Sequence, residues 1–222
     1  MISVQTFSLP PVNRQEVLRY AGAKTETPEL SGLLDNALLE AAPLLSGKVC
    51  WMEFSVRNDG DLLDLGFTKI TSHSLCRNLS GCDRMVVFAA TLGLGLDRLI
   101  TRYGHLSPAK ALVLQAIGTE RVEALCDTFC AQIRQNFAKT GLHPAPRFSP
   151  GYGDLPLELQ KDIFRVLDCP RTIGLTLNQS LLMSPSKSVT AIVGLRPCAG
   201  PDPVNRCTSC SKTDCMYRRK QP

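Results

Sequence analysis

The chain has 222 residues, of which 44% are hydrophobic and 20% charged, and its net charge is +5. These values are typical of a globular protein, and the mild charge argues against electrostatic binding of nucleic acid. No segment approaches the roughly 18 consecutive apolar residues of a membrane span, and the first residues lack the pattern of a signal peptide. Ten cysteines without a secretion signal indicate reduced thiols or metal ligands, so we expect a cytoplasmic protein that does not bind membranes.

The first part of the chain alternates helical and extended patterns. Asn13 and Glu16 have the spacing of a capping box that begins a short helix, and Thr27-Pro28 caps a second helix. Residues 49–56 and 84–92 are rich in apolar and β-forming side chains, which predicts two strands, the second of them central in a sheet. The segment from 61 to 70 fits a helix and a strand equally.

A long helix is predicted from Ser107-Pro108 to Lys139, and it carries Glu120 and Glu123 one turn apart. A carboxylate on this helix that lines a pocket can hold an ammonium group or a ribose hydroxyl. The same spacing also suits two solvated glutamates on an exposed face, so both interpretations stay open.

The remainder of the chain adds one helix and two strands. Residues 157–167 have a helical pattern that Cys169-Pro170 ends, and residues 173–177 and 189–195 read as extended. The whole pattern predicts an α+β fold with a mixed, largely antiparallel central sheet and flanking helices.

The segment from 147 to 157 carries two glycines, two prolines, an arginine and a tyrosine in sequence. Pro150-Gly151 favours a type II turn, and Asp154 is a suitable N-cap for the helix that follows. Glycines allow a ligand to lie on the backbone, where an arginine, a phenol and free amides at a helix N-terminus suit a carboxylate or another planar anion. The alternative is a connecting turn with a buried Tyr152 and a surface Arg147.

The C-terminal segment from 198 to 222 is polar and rich in cysteine. Four thiols at Cys198, Cys207, Cys210 and Cys215 have a spacing that suits a tetrahedral zinc site or an iron–sulfur cluster. A redox dithiol at Cys207 and Cys210, or a frayed terminus, is the alternative. The other six cysteines lie mostly in apolar surroundings, which predicts small core residues.

Two motifs resemble the activation domain of cobalamin-dependent methionine synthase. The first is Arg147-x-x-Pro150-Gly151-Tyr152 with Pro156 and Lys161 after it, and the second is the stretch from 177 to 189 with its Met, Pro and Ser-Val residues. The chain is more similar to the short, stand-alone bacterial relatives of that domain. The shared features are Tyr152-Gly153-Asp154, Thr91-Leu92-Gly93 and a cysteine-bearing C-terminus.

The resemblance implies that residues 1–197 form an activation-like domain that binds S-adenosylmethionine. In this family, cobalamin occasionally oxidises to inactive cob(II)alamin. One electron from a flavodoxin- or ferredoxin-type donor and a methyl group from S-adenosylmethionine then regenerate methylcobalamin. Because the chain has no Asp-x-His-x-x-Gly cobalamin-binding motif, we expect a separate cobalamin-binding methyltransferase to present the cobalamin.

The resemblance also implies the roles of individual residues. Arg147 takes the methionine carboxylate, a contact that suits the geometry of a guanidinium group. Ser149 and Gly151 offer backbone around the ligand, Tyr152 flanks it, and Glu123 is the acidic ligand on the long helix. This step needs no general acid or base, because the domain acts by positioning.

A function of a different class rests on the cysteines alone. In that alternative the chain is a small iron–sulfur or zinc protein that acts in electron transfer or assembly, and the turn at 147–157 binds nothing.

Overall fold

The computed structural model describes residues 1–60 and 62–197. The helices in these ranges are α1 (Arg14–Tyr20), α2 (Pro28–Ala41), α3 (His73–Asn78), α4 (Leu94–Leu106), α5 (Pro108–Ala138), α6 (Leu159–Leu167) and α7 (Cys169–Ile173). The strands are β1 (Ser3–Phe7), β2 (Gly47–Ser55), β3 (Arg57–Asn58), β4 (Leu62–Asp64), β5 (Lys69–Thr71), β6 (Arg84–Thr91), β7 (His143–Pro144), β8 (Thr176–Leu177), β9 (Met183–Ser184) and β10 (Ser188–Arg196).

A five-stranded sheet in the order β1-β2-β6-β10-β7 forms the centre of the fold. Every neighbouring pair in it is antiparallel, and β6 pairs with both β2 and β10. The apolar sequence of β6 explains its central place, because a strand with neighbours on both edges and both faces covered buries its side chains, here all of them except that of Arg84. The predicted α+β fold with a largely antiparallel sheet is confirmed.

Two hydrophobic cores lie on opposite faces of this sheet. Side chains alternate along a strand, so Phe88 and Ala90 point to the face covered by α5, whereas Val87 and Ala89 point to the face covered by α6 and α7. On the first face, Phe129 of α5 packs against Phe88 with 4.9 Å between ring centroids. The sheet therefore separates an α5 side from an α6 side, and both sides contribute to the site below.

The predicted N-caps of the first two helices are confirmed, whereas the backbone amide of Asn13, which a capping box would pair with Glu16, donates to Glu120 Oε1 (3.1 Å). The Asn13 side chain accepts a hydrogen bond from the Glu16 amide (3.2 Å), and the Thr27 hydroxyl accepts one from the Leu30 amide (3.3 Å). The ambiguous segment after residue 60 contains the two short strands β4 and β5, which pair as an antiparallel hairpin.

The prediction that Asp154 caps the following helix is wrong. That helix, α6, begins later, at Leu159, and no side chain caps it. The Asp154 carboxylate instead accepts hydrogen bonds from Ser72 Oγ (2.6 Å) and from the amides of His73 (2.7 Å) and Ser74 (3.0 Å). Asp154 therefore binds Ser72, the N-cap of α3, and two amides at the start of that helix, and it ties the turn after Arg147 to α3.

The chain after α6 also differs from its prediction. Cys169-Pro170 begins the short helix α7, in agreement with the tolerance of proline in a first helical turn. The predicted strand over 173–177 is therefore mostly wrong, because α7 ends at Ile173 and only Thr176–Leu177 is extended. These two residues pair with β9 in a small hairpin.

Candidate functional site

The segment after Arg147 forms the turn that the sequence predicts. The Tyr152 amide donates to the Ser149 carbonyl (3.2 Å), and Gly151 has a φ of 87°, as the third residue of a type II turn requires. The amides are not all free, however, because the Gly151 amide donates to the Leu155 carbonyl (2.9 Å). A Cβ on Gly153 would lie 2.6 Å from Ser74 Oγ, so this glycine allows close packing against α3 and not against a ligand.

The chain before this turn pairs with the edge of β10 and then leaves it. Phe148 and Ile192 exchange two backbone hydrogen bonds of 2.8 Å, and the chain turns away at Ser149. Residues two apart in a strand direct their backbone groups to the same side, so the N–H and C=O of Thr190 face this edge too. Among the described residues neither group has a hydrogen-bond partner, which leaves a short stretch of open sheet edge.

A cavity of about 430 Å³ lies at this open edge. Its walls come from α5, the turn, α6, β9 and β10. The lining residues are Glu123, Arg147, Phe148, Ser149, Pro150, Tyr152, Gln160, Met183, Ser188, Val189 and Thr190.

Four of the five residues that the sequence suggests as ligand-binding line this cavity. They are Glu123, Arg147, Ser149 and Tyr152, and the fifth, Gly151, shapes the turn but does not line the cavity. Side-chain alternation places Val189 on the α5 side of the sheet and Thr190 on the α6 side, so the cavity spans both sides of the edge.

Arg147 is held from one end only. Its Nη2 donates to Glu123 and lies 3.3 Å from Asp127 Oδ1, both on α5. Its Nη1 is buried and has no hydrogen-bond partner among the described residues. Burial lowers the pKa of Arg147, but Cys126, Glu123 and Asp127 raise it, and the net direction is upward. A charged guanidinium with one unpaired nitrogen in a cavity can bind a carboxylate.

Two further polar side chains in the cavity are buried without a partner. Gln160 is 6% exposed and Thr190 is 2% exposed, yet neither Gln160 Oε1 nor Thr190 Oγ1 has a hydrogen bond within the described residues. Together with Arg147 Nη1 they are three of the five such atoms in that part of the chain. Because buried polar groups are nearly always paired with protein, water or ligand, their concentration among the residues that line one cavity makes this cavity the candidate binding site.

The alternative interpretation of the turn expects a buried Tyr152 and a surface Arg147, and the structure shows the reverse. Tyr152 is 65% exposed, and its ring meets Phe148 edge-on with 6.5 Å between centroids. The Arg147 side chain is only 22% exposed. The turn is therefore not a simple connection with a surface arginine, and its aromatic rings stand at the mouth of the cavity.

The two glutamates of α5 have different surroundings. Glu120 is buried, accepts hydrogen bonds from Arg121 Nε (2.5 Å) and the Asn13 amide (3.1 Å), and does not line the cavity. Glu123 lines the cavity and pairs with Arg147. The interpretation of both as solvated glutamates is thus wrong.

No sequence pattern identifies Gln160 or Thr190 as a site residue. Gln160 directly precedes Lys161 of the first motif, and Thr190 directly follows the Ser-Val of the second. Both residues are therefore adjacent to a motif, but only the packing at the sheet edge shows that they line one cavity.

The predicted metal ligands Cys198, Cys207, Cys210 and Cys215 lie outside the described residues. The remaining cysteines are buried or, at Cys130, half-buried, as predicted for core residues. Burial raises the pKa of the Cys130 thiol to about 11.

Within residues 1–60 and 62–197 no three His, Cys, Asp or Glu side chains group as metal ligands. In the same ranges no helix combines the length and apolarity needed to cross a membrane.

Comparisons with known proteins agree with the motifs. The family model for the vitamin B12 dependent methionine synthase activation domain matches residues 75–220. Among solved structures, the crystal structure of the MetH reactivation domain bound to AdoHcy is similar, with a TM-score of 0.65 and 15% sequence identity. The similarity covers 90% of this chain and 80% of that one, and at this identity it shows a shared fold. No curated protein matches the sequence.

Proposed function

The chain belongs to the family of the vitamin B12-dependent methionine synthase activation domain, and from this premise we propose that it binds S-adenosylmethionine for reductive reactivation. The methylated acceptor is cob(II)alamin on a separate cobalamin-dependent methyltransferase. One electron comes from a flavodoxin- or ferredoxin-type donor, and S-adenosylmethionine supplies the methyl group. The similar MetH structure is bound to AdoHcy, the product of such a transfer, which supports the choice of ligand.

The observation that carries the proposal is the unpaired Nη1 of Arg147. Glu123 and Asp127 hold the guanidinium from the α5 side, so its orientation is already restrained in the chain without a ligand. The methionine carboxylate is the group that this nitrogen binds. Because the guanidinium is already ordered, little conformational entropy is lost when the contact forms.

The other residues of the site hold the rest of the ligand. Glu123 keeps one carboxylate oxygen outside its pair with Arg147, and this oxygen accepts from the ammonium group next to the carboxylate. Ser149 lines the cavity beside it, Gly151 gives the turn its positive φ, and Tyr152 covers the ligand at the mouth. The chain thus positions the sulfonium and needs no acid or base for the transfer.

The mouth of the cavity is also the surface at which we propose that the corrinoid partner docks. Tyr152, Leu157 and Leu182 are exposed apolar side chains on the turn and the β8–β9 hairpin. Exposed apolar side chains beside an open cavity suit a partner that covers the cavity and excludes water.

We propose further that the four C-terminal cysteines bind zinc or an iron–sulfur cluster. Anaerobic purification of the full chain with metal analysis separates these two outcomes. A brown protein that bleaches on reduction indicates a cluster, a colourless protein with one bound zinc indicates a structural site, and a metal-free protein contradicts the proposal.

Calorimetric titration of the full chain with S-adenosylmethionine and S-adenosylhomocysteine tests the proposed function. We expect both to bind with a dissociation constant on the order of micromolar. Methylthioadenosine, which lacks the carboxylate and the ammonium group, is the control ligand and should bind at least about tenfold more weakly. Absence of heat from both ligands, in a chain shown to be folded, would contradict the proposal.

A further inference from the structure

Two polar side chains of the cavity have no role in the account so far. Gln160 and Thr190 lie on the α6 side of the sheet edge, whereas Arg147 and Glu123 lie on the α5 side. The carboxylate and ammonium groups of the ligand share one carbon atom, so both stay close to Arg147. Gln160 lines the same cavity and its Oε1 has no hydrogen-bond partner among the described residues, so this side chain is available to a more distant part of the ligand.

The position of Gln160 is fixed by its helix. The backbone amide of Gln160 donates to the Leu157 carbonyl (3.0 Å), and its neighbours Leu159 and Ile163 are buried in the core on the α6 side. A glutamine at the first turn of a packed helix is restrained, so its amide group presents one acceptor and two donors at a defined place.

Beyond the amino-acid end of the ligand, both the ribose hydroxyls and the adenine ring can pair with an amide, and the apolar lining of the cavity favours the adenine ring. A glutamine pairs with adenine through two hydrogen bonds, in which Oε1 accepts from N6 and Nε2 donates to N7. Phe148, Tyr152 and Met183 line the same cavity and supply the apolar surface on which a flat ring packs.

From this arrangement we propose that Gln160 reads the N6 and N7 edge of adenine and makes the site specific for a 6-aminopurine. The inference rests on the proposed function, because it assigns one more residue of the same site. A 6-oxopurine presents two acceptors, O6 and N7, on that edge. Because Gln160 Oε1 is also an acceptor, it faces one of them in either orientation of the side-chain amide, and that contact is repulsive. A 7-deazapurine keeps the N6 donor and loses the N7 acceptor.

Three ligands that differ only in the purine test the inference. They are S-adenosylhomocysteine, S-inosylhomocysteine and S-tubercidinylhomocysteine, titrated calorimetrically into the full chain. We expect the wild type to bind the first at least about tenfold more tightly than either of the others. Similar affinities for all three would overturn the inference and leave the proposed function intact, whereas no binding of any of them would overturn both.

Variants at Gln160 assign the discrimination to this residue. Gln160→Leu should bind the three ligands within about twofold of one another, and Gln160→Glu, which cannot donate to N7, should bind the adenine and 7-deaza ligands equally. Glu158→Gln, a change at an exposed position two residues before Gln160, is the matched control and should retain the wild-type preference. If Gln160→Leu weakens all three ligands equally and keeps the preference, another group reads the base and the inference fails.

Thermal unfolding of each variant without ligand shows whether that variant is folded. If Gln160→Leu does not fold, Gln160→Glu has nearly the same volume and carries the comparison alone. In Gln160→Glu, a retained preference for adenine over the 7-deaza ligand would likewise overturn the inference.

Discussion

Two carboxylate–guanidinium pairs involve α5, one turn apart, and they differ in how completely their donors are used. In the first, Arg121 donates to Glu120 and to the carbonyls of Pro10 (2.5 Å) and Pro11 (3.2 Å), with 3% and 7% exposure of the two side chains. In the second, Arg147 donates to Glu123 through Nη2, and its Nη1 has no partner among the described residues. The side chains of Arg147 and Glu123 are 22% and 33% exposed.

We interpret this difference as one between a structural pair and the pair that we propose binds the ligand. The Glu120–Arg121 pair is saturated, and it fastens the segment before α1 to the long helix. The Glu123–Arg147 pair is unsaturated and faces a cavity. Removal of either partner from a saturated buried pair leaves a buried charge, whereas the same change in the open pair mainly removes a ligand contact.

The largest expected effect is on the saturated pair. Arg121→Ala should lower the free energy of unfolding by about 3–5 kcal/mol, because it leaves the buried Glu120 and two carbonyls without their donor. Urea denaturation measures the loss. Arg165→Ala, whose side chain is 69% exposed on α6, is the control and should change stability by less than about 0.5 kcal/mol. A loss below about 1 kcal/mol in Arg121→Ala would show that the first pair is not structural.

The matched changes Glu120→Gln and Glu123→Gln sharpen the comparison. Both remove a charge and keep the shape of the side chain. Glu120→Gln should destabilise the fold by more than about 2 kcal/mol, whereas Glu123→Gln should cost less than about 1 kcal/mol. Calorimetry should show that only Glu123→Gln weakens S-adenosylhomocysteine binding, by about fivefold. Equal losses of stability in the two variants would remove the distinction.

The smallest expected effect is at Asp154, which holds the turn to α3. The Ser72 hydroxyl and the amides of Ser74 and His73 keep the pKa of Asp154 below its ordinary value. Since the folded pKa is the lower one, the stabilisation is present above the unfolded value of about 4 and is lost as pH falls through the folded pKa. Asp154→Ala should therefore unfold at a lower temperature than the wild type at pH 7, and the difference should shrink below about pH 4. A difference independent of pH would contradict this role.

The elements that the sequence predicts well are those with local signals. The caps at Asn13 and Thr27, the apolar run of β6 and the proline at the start of α5 act within a few residues, and the structure has all four elements. Asp154 was assigned to the wrong helix because its partners, Ser72 to Ser74, are close only in the folded chain. No local pattern identifies such a cap.

The residues of the candidate site also divide into those with a local sequence signal and those that only the folded chain brings together. The positions of Arg147 and Tyr152 follow from a turn with a recognisable sequence. Gln160 and Thr190 enter the site because the chain leaves β10 after Phe148, and that departure is a property of the sheet edge. Likewise, the contrast between Glu120 and Glu123 depends on what packs against each face of α5, which periodicity alone does not determine.

A ligand-and-variant cycle at Arg147 tests the central claim most directly. The wild type and Arg147→Ala are each titrated with S-adenosylmethionine and with decarboxylated S-adenosylmethionine. Arg147→Ala should lose about 2 kcal/mol of binding free energy, or roughly thirtyfold in affinity, for the first ligand and less than about threefold for the second. An equal loss for both ligands, or no loss for either, would contradict the assignment of Arg147 Nη1 to the carboxylate.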